Sequence, residues 1–275
     1  MPIITLTTDF GLKDHFVGAI KGTIYSELPD ARVVDISHNI SPFNLYETAY
    51  VLKNSYKSFP DGSIHIIGVD SELTPENKHI ALKVDKHYFI CADNGLMSLL
   101  LNDFTFEKMV EINIHDRVET SFPVLDVFVK VACHIARGGT LEVIGKPISD
   151  FKQLVGLQPT VSADKSTIKG NILYIDNYGN SISNITRKFF NEVRKGRDFK
   201  ILGAHYDFKL YNNYSDIVNF SLEKEDRHVE GQKLAIFNSA NFLEIALYKS
   251  NLQTNGGAST LLGLEIGKPI TIKFF

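Results

Sequence analysis

Cysteine is scarce in this chain of 275 residues, neither sign of charge is in large excess, and long apolar runs are missing. Cys91 and Cys133 lie far apart in no CxxC or Cys/His spacing, which argues against a disulfide framework and a zinc site and fits a reducing cytoplasm. Lys and Arg number 29 against 32 Asp and Glu, a formal charge of -3. Without a basic stripe to meet a phosphate backbone, nucleic acid is not an expected partner. No run approaches the roughly 20 apolar residues of a membrane helix, and the start MPIITLTTDF has no leader pattern, so no membrane partner is expected. Repeats and low-complexity tracts are missing too.

What is present is core material. Hydrophobic residues make up 44% and charged residues 22%, enough to outweigh the chain entropy that keeps polar sequences disordered. The length suits two domains. In the first half, β-branched runs alternate with helical spacing. Ile3–Thr8 reads as a strand, then Phe16, Val17, Ile20 and Ile24 recur on one helix face, and Arg32–Ile36 returns to strand. A second helix carries Leu45, Ala49, Leu52 and Tyr56, with Pro42 in its first turn. Strands follow at Ser63–Val69, Ile80–Val84, Tyr88–Cys91 and Lys108–Ile112, and a buried helix at Val124–Ala136 closes at Gly138-Gly139. The pattern predicts an N-terminal α/β domain over residues 1–148 with a mostly parallel sheet. Residues 149–166 turn polar and aperiodic, as a linker does. Residues 167–275 then give short, closely spaced strands with one helix at Thr186–Arg194, which predicts a smaller C-terminal β-barrel domain.

Chemistry-bearing residues gather at strand ends. Asp9 follows the first strand and Asp70 follows Ile66–Val69, and ligands of open α/β sheets bind at the carboxyl ends of strands. Such a pair can grip a diol, bind a cation or act as a general base, and the spacing does not choose among them. Asp35 and His38 admit a metal reading, but His38 has no partner four residues on, so no metal site is predicted. His15, His65, His87, His205 and His228 read as surface residues. Asp93-Asn94-Gly95 reads as a turn opening a helix, and Ile175–Asn180 and Asn238–Asn241 as hairpin turns. Glu244, between Leu243 and Ile245, alternates onto the polar face of its strand.

Taken in order, TTDFGxxDxFVGxxKG (7–22), VVDISHxIxPF (33–43), GVD (68–70), DNG (93–95), RGGTLEVIGKP (137–147), IDNYGNSISNI (175–185) and NSxxxLEIA (238–246) resemble one family. It is the S-adenosylmethionine hydroxide adenosyltransferases, relatives of the bacterial fluorinase and chlorinase. The resemblance implies an α/β domain followed by a β-barrel domain, and a homotrimer holding each ligand between subunits. Its ligand is S-adenosylmethionine or adenosine, used as substrate with no cofactor. Carried over by motif, Asp9 holds the ribose hydroxyls, Phe43 packs beside the ribose, and Asp14 and Asp176 face the methionine part. Asn180, Ser239, Glu244 and the backbone of Leu247 bind the adenosine or its amino acid tail, and Tyr178 adds an aromatic face toward the sulfonium.

The implied reaction is displacement at C5′ by hydroxide derived from water, and Asp70 matches the Asp of an Asp-Arg-His set. The other two positions depart from the pattern. Asn77 stands where the Arg is expected, with Lys78 beside it as a substitute cation, and Pro123 replaces the His. An insertion covers 248–255. These departures keep open a second expectation, a protein that binds S-adenosylmethionine or adenosine without turning it over. Halide transfer is not expected, because Leu73–Pro75 does not match the Thr and Gly-rich halide pocket.

Overall fold

The computed structural model describes residues 2–101, 106–114 and 120–275. The chain divides into two compact units, Met1–Gly156 and Leu157–Phe275. In the first unit, strand β1 (Ile3–Thr8) leads through helix α1 (Phe16–Glu27) to β2 (Arg32–Ser37), and α2 (Leu45–Lys53) leads on to β3 (Ile64–Gly68). Strands β4 (His79–Val84) and β5 (His87–Ala92) form a hairpin. Helix α3 (Leu96–Leu100), β6 (Lys108–Ile112), α4 (Val129–Ala136) and β7 (Gly145–Pro147) complete the unit. The sheet order is β2-β1-β3-β5-β4-β6-β7. It is mixed: β2, β1, β3 and β5 pair in parallel, while β4, β6 and β7 are added antiparallel.

Period-two alternation decides which helices lie on which face. Ile4, Leu6, Ile64, Ile66 and Ile90 pack with Ile20 and Ile24 of α1 and with Val131, Ala132 and Ile135 of α4. Their neighbours Ile67, Leu82, Phe89 and Cys91 pack on the opposite face with Leu52 of α2 and Leu96 and Leu100 of α3. Strands covered on both faces read as nearly continuous apolar runs, as 64–69 does. Each fully buried Ile, Leu or Phe contributes roughly 1.5–3 kcal/mol. Exposed ion pairs such as Lys86–Asp61 (2.9 Å) add little, being screened by solvent, so the layers hold the unit together.

Helix α2 starts at Leu45 and not at Pro42. Asn44 caps it, accepting from the backbone N–H of Glu47 at 3.0 Å, while Glu47 Oε2 reaches back to the N–H of Ser41 at 3.2 Å. A side-chain cap outcompetes proline's preference for the first turn. Two predicted surface histidines are buried, His65 at 0% and His87 at 4% exposure. The reason is polar satisfaction: His65 Nδ1 meets Thr5 Oγ1 at 2.7 Å and its Nε2 meets His87 Nδ1 at 3.1 Å.

The segment read as a linker is shared between the units. Phe151 and Leu154 pack on the α2/α3 face, and the N–H groups of Lys152 and Leu154 bond Asp93 Oδ1 and Ser98 Oγ at 2.8 Å each. Residues 157–166 belong to the second unit. There β8 (Thr160–Val161) pairs with β9 (Thr167–Ile175). Extended segments held by side-chain bonds have no period to read.

The second unit continues with β10 (Ser181–Thr186), α5 (Arg187–Arg194), β11 (Phe199–Gly203), β12 (Tyr206–Phe208), β13 (Lys233–Phe237), β14 (Phe242–Leu247), α6 (Ala258–Leu261) and β15 (Pro269–Phe274). The order β12-β11-β15-β9-β10-β14-β13 nearly closes on itself. Just past β12, the N–H of Tyr211 bonds Ala235 O at 2.9 Å, and the N–H of Ala235 bonds Lys209 O at 3.0 Å. The α/β class and the barrel-like C-terminal part therefore stand as read from the sequence.

Candidate functional site

Strands β1 and β3 are parallel neighbours, with Thr8 opposite Gly68. The connections from β1 and β2 leave for opposite faces, so the crevice beyond β1 and β3 is the switch point where open sheets hold ligands. A cavity of about 590 Å³ opens there, lined by Asp9, Phe43, Asp70 and Pro123 among others. Gly68 lets Val124 and Phe10 pack close against the end of β3, because a Cβ there would meet Val124 Cγ2 at 3.0 Å and the Phe10 ring at 3.2 Å.

Two lining residues, Phe43 (φ 62°) and Asp70 (φ 46°), lie in the left-handed region, at roughly 1–3 kcal/mol each for residues with a Cβ. Both are held by named partners. Asp9 Oδ2 accepts from the N–H of Phe43 at 2.9 Å. The Asn94 amide donates to Val69 O at 3.2 Å and Asp70 O at 3.1 Å, while its Oδ1 accepts from the N–H of Leu96. Asn94 is buried, and both its protons go to the backbone that presents Asp70. The turn reading of Asp93-Asn94-Gly95 missed this, since a turn signal does not say what an amide clamps.

Aromatic side chains form another wall. Phe10, Phe16 and Phe122 pack as a triangle with centroids 5.2–5.5 Å apart, and all three line the cavity. Phe10 and Phe122 lie far apart in sequence, so no local pattern links them.

Asp14 is exposed and outside this lining, although on the neighbouring segment. Lys78 is also exposed and outside it, its carbonyl accepting from the N–H of Asp93. Beside it, Asn77 Oδ1 accepts from Lys152 Nζ at 3.2 Å. Asp35 spends its oxygens on Lys21 Nζ (2.5 Å) and on His38 Nε2 (3.1 Å). Burial would raise its carboxyl, but the Lys21 and His38 contacts outweigh that and hold it below the usual range. Among the described residues no group of three His, Cys, Asp or Glu is placed to hold a metal.

The second unit has its own cavity, about 350 Å³, lined by Asp176, Tyr178, Asn180, Leu247, Tyr214 and Tyr248 among others. Asp176 organises the 176–180 turn: Oδ1 accepts from the N–H groups of Tyr178 and Asn180, and Oδ2 from Asn180 Nδ2, each at 2.9 Å. The segment 248–256 lies against this turn. Ser250 Oγ donates to Tyr178 O at 3.2 Å, and a Cβ on Gly257 would meet Gly179 Cα at 2.6 Å.

Glu244 is not on a solvated face. It is 2% exposed, because Tyr211, Ile217 and Tyr248 pack over Leu234, Ile236 and Ala246 on the outer side of its sheet. Tyr214 Oη bonds Glu244 Oε1, and Asn238 Nδ2 donates to Oε2 at 3.1 Å. Burial pushes the Glu244 carboxyl up, against both hydrogen bonds. Glu244 thus stands behind Tyr214 and outside the cavity lining, and Ser239 is exposed in the 238–241 turn. Tyr214 opens a single 3-10 turn, Tyr214–Ile217, too short to leave a period in the sequence.

A strand-end crevice with the carboxylates of Asp9, Asp70 and Glu72 and an aromatic wall, in one chain with a barrel unit holding a tyrosine-lined cavity, defines a two-unit protein for polar, partly aromatic small molecules. The chain belongs to the SAM hydroxide adenosyltransferase family, whose N-terminal domain profile matches residues 4–145 and whose C-terminal domain profile matches residues 170–271. The (R)-S-adenosyl-L-methionine hydrolase of Methanocaldococcus jannaschii is 30% identical over 277 residues, covering 96% of this chain and 93% of that protein. The fluorinase of Nocardia brasiliensis is 23% identical over 286 residues, covering 91% and 92%. The crystal structure of an uncharacterized conserved protein from Thermotoga maritima matches with a TM-score of 0.82 at 26% identity, covering 98% of this chain and 100% of that one.

Proposed function

We propose that this chain hydrolyses S-adenosyl-L-methionine to adenosine and methionine, acting on the (R) sulfonium epimer for which its relative is named. Asp70 carries the reading, a carboxylate held in a strained backbone at the carboxyl end of β3, facing a cavity walled by three phenylalanines. The oxygen of water attacks C5′ in line with the departing sulfur. As the C–O bond forms, the C5′–S bond breaks and its electron pair turns the sulfonium into a neutral thioether. The water proton passes to Asp70 and then to solvent, general-base work that contributes typically 10²- to 10⁴-fold.

Asp9 accepts from the ribose hydroxyls through the oxygen not bonded to Phe43, with the Phe43 ring beside the sugar. The aromatic wall and the acids Asp14, Asp70 and Asp176 favour the sulfonium cation, an attraction of about 0.5–2 kcal/mol per well-placed ring. Asn180, Ser239 and the backbone of Leu247 serve the adenosine or its amino acid tail, Tyr178 turns its ring to the sulfonium, and Glu244 acts from behind the cavity by holding Tyr214. The working form in this proposal is a homotrimer, with the first unit of one copy completed by the second unit of a neighbour. Its setting is the cytoplasm, in keeping with two buried, unpaired cysteines.

One observation favours a second reading, binding without turnover. Pro123 lines the cavity where the family's pattern has a proton-carrying His, and Lys78 lies outside that lining. The test is mass spectrometry of purified protein with each sulfonium epimer, against Asp70→Ala and protein-free controls. Adenosine and methionine above both controls support hydrolysis. Intact S-adenosylmethionine, with binding retained by calorimetry, leaves the binding protein.

A further inference from the structure

The residues Thr8, His38, Asp35 and Lys21 form a chain, buried at Thr8 and His38 and open to solvent at Asp35 and Lys21, that no part of the reaction above uses. Thr8 Oγ1 meets His38 Nδ1 at 2.8 Å, and His38 Nε2 lies 3.1 Å from Asp35 Oδ1. Asp35 Oδ2 in turn takes Lys21 Nζ at 2.5 Å. Hydroxyl, imidazole and carboxylate stand here in the order of a nucleophile, its base and its orienting acid. Thr8, however, is fully buried and absent from the cavity lining. No substrate atom reaches its oxygen, so a nucleophile is ruled out.

What the chain holds is the turn carrying Asp9. Thr8 Oγ1 accepts from the N–H of Phe10 at 3.4 Å and shares a second hydrogen bond with His38 Nδ1 at 2.8 Å. The carbonyl of His38 accepts from the N–H of Gly11 at 2.7 Å. The 8–11 turn is therefore pinned by His38 at both ends, with Asp9 between the pins. A third tie comes from the same loop after β2, where the N–H of Phe43 donates to Asp9. The register of β1 and β2 shifts between Leu6 and Thr7, which face Asp35 and Ser37; such an irregularity re-aims the side chains beyond it.

We propose that His38 is a positioning residue for ligand binding, setting the Asp9 carboxylate by holding Thr8 on one side and Gly11 on the other. The inference rests on the reading of Asp9 as the ribose-binding group.

Calorimetry with adenosine on the full chain tests it, with the thermal midpoint of every variant measured alongside. Asparagine ends close to where Nδ1 stands and glutamine close to where Nε2 stands, so His38→Asn keeps a partner for Thr8 and His38→Gln does not. The expected result is a loss of about tenfold in adenosine affinity for His38→Gln and for Thr8→Val. His38→Asn should stay within about threefold of the parent. The Thr8→Val/His38→Gln double variant should bind no worse than either single one, because both cut the same contact. Equal affinities of the Asn and Gln variants at matched thermal midpoints, or additive losses in the double variant, would overturn the proposal. Undetectable binding of adenosine and S-adenosylmethionine by the parent protein would instead overturn the reading of Asp9, and this inference with it.

Discussion

Asp70 needs an unfavourable backbone angle to face the cavity, and Asn94 holds it there with both protons of one amide. Replacing Asn94 by Asp keeps the shape but turns two donors into acceptors facing two carbonyls. The expected outcome for Asn94→Asp is a fall in kcat of tenfold or more with KM within about threefold, checked by steady-state kinetics of adenosine formation. Asp70→Asn, which removes the base itself, should lose about 10²-fold or more in kcat while still binding S-adenosylmethionine. Matching kcat for the parent and Asp70→Asn would assign the base elsewhere. Asp9 and Asp70 were legible in the sequence because strand ends announce themselves. Asn94, Tyr214 and the phenylalanine triangle were not, since each depends on a contact between segments distant in sequence. Glu244 was misread for a related reason: alternation gives the side of a strand, but not whether a loop covers that side.

At the scale of elements, glycines separate two kinds of constraint. Gly22 sits exposed inside α1 with open space where a methyl group would stand, and alanine there should add about 0.5–1 kcal/mol of stability through helix propensity. A rise in Tm of roughly 1–4 °C would register it. Gly257 lies against the backbone of Gly179, so Gly257→Ala forces apart the segments that frame the second cavity and should lower Tm by several degrees. The buried histidines of β3 and β5 give a pH signature. Burial, and then the neighbouring His87, push His65 down to about 3. Its folded value lies below the unfolded one of about 6.5, so the unfolded chain binds the proton first as pH falls. Stability from this group is intact above pH 6.5 and drains away between there and about pH 3, by an order of a few kcal/mol. Thermal melts from pH 7 to pH 4 should show the loss. The slope should flatten in Thr5→Val/His65→Leu, which removes both partners of the buried bond; an unchanged slope would assign the acid lability to other groups.

For the whole molecule, the order of strands and helices could be read along the chain because each element carries its own period, although pairings such as β9 with β15 and β10 with β14 join strands distant in sequence. The limits of the units could not, because 149–166 is held by backbone and side-chain bonds that leave no periodic trace. The resemblance assigns the strand-end cavity of the first unit and the tyrosine-lined cavity of the second to a single ligand shared between neighbouring copies of a trimer. Complementation puts a number on that. Asp70→Ala breaks the first unit's contribution, and Gly257→Arg, which no rotamer can fit against Gly179, breaks the second's. Each variant alone should be inactive. Refolded together in equal amounts, and joined at random in a head-to-tail ring, each site draws its first unit from either variant and its second from either variant. One combination in four is intact in both, so about a quarter of the parent activity should return. Copies that each complete their own site would carry a defect in every site, and the mixture would stay inactive. Sedimentation of the refolded mixture at the mass of three chains, together with that fraction of activity, would separate a shared site from a self-contained one.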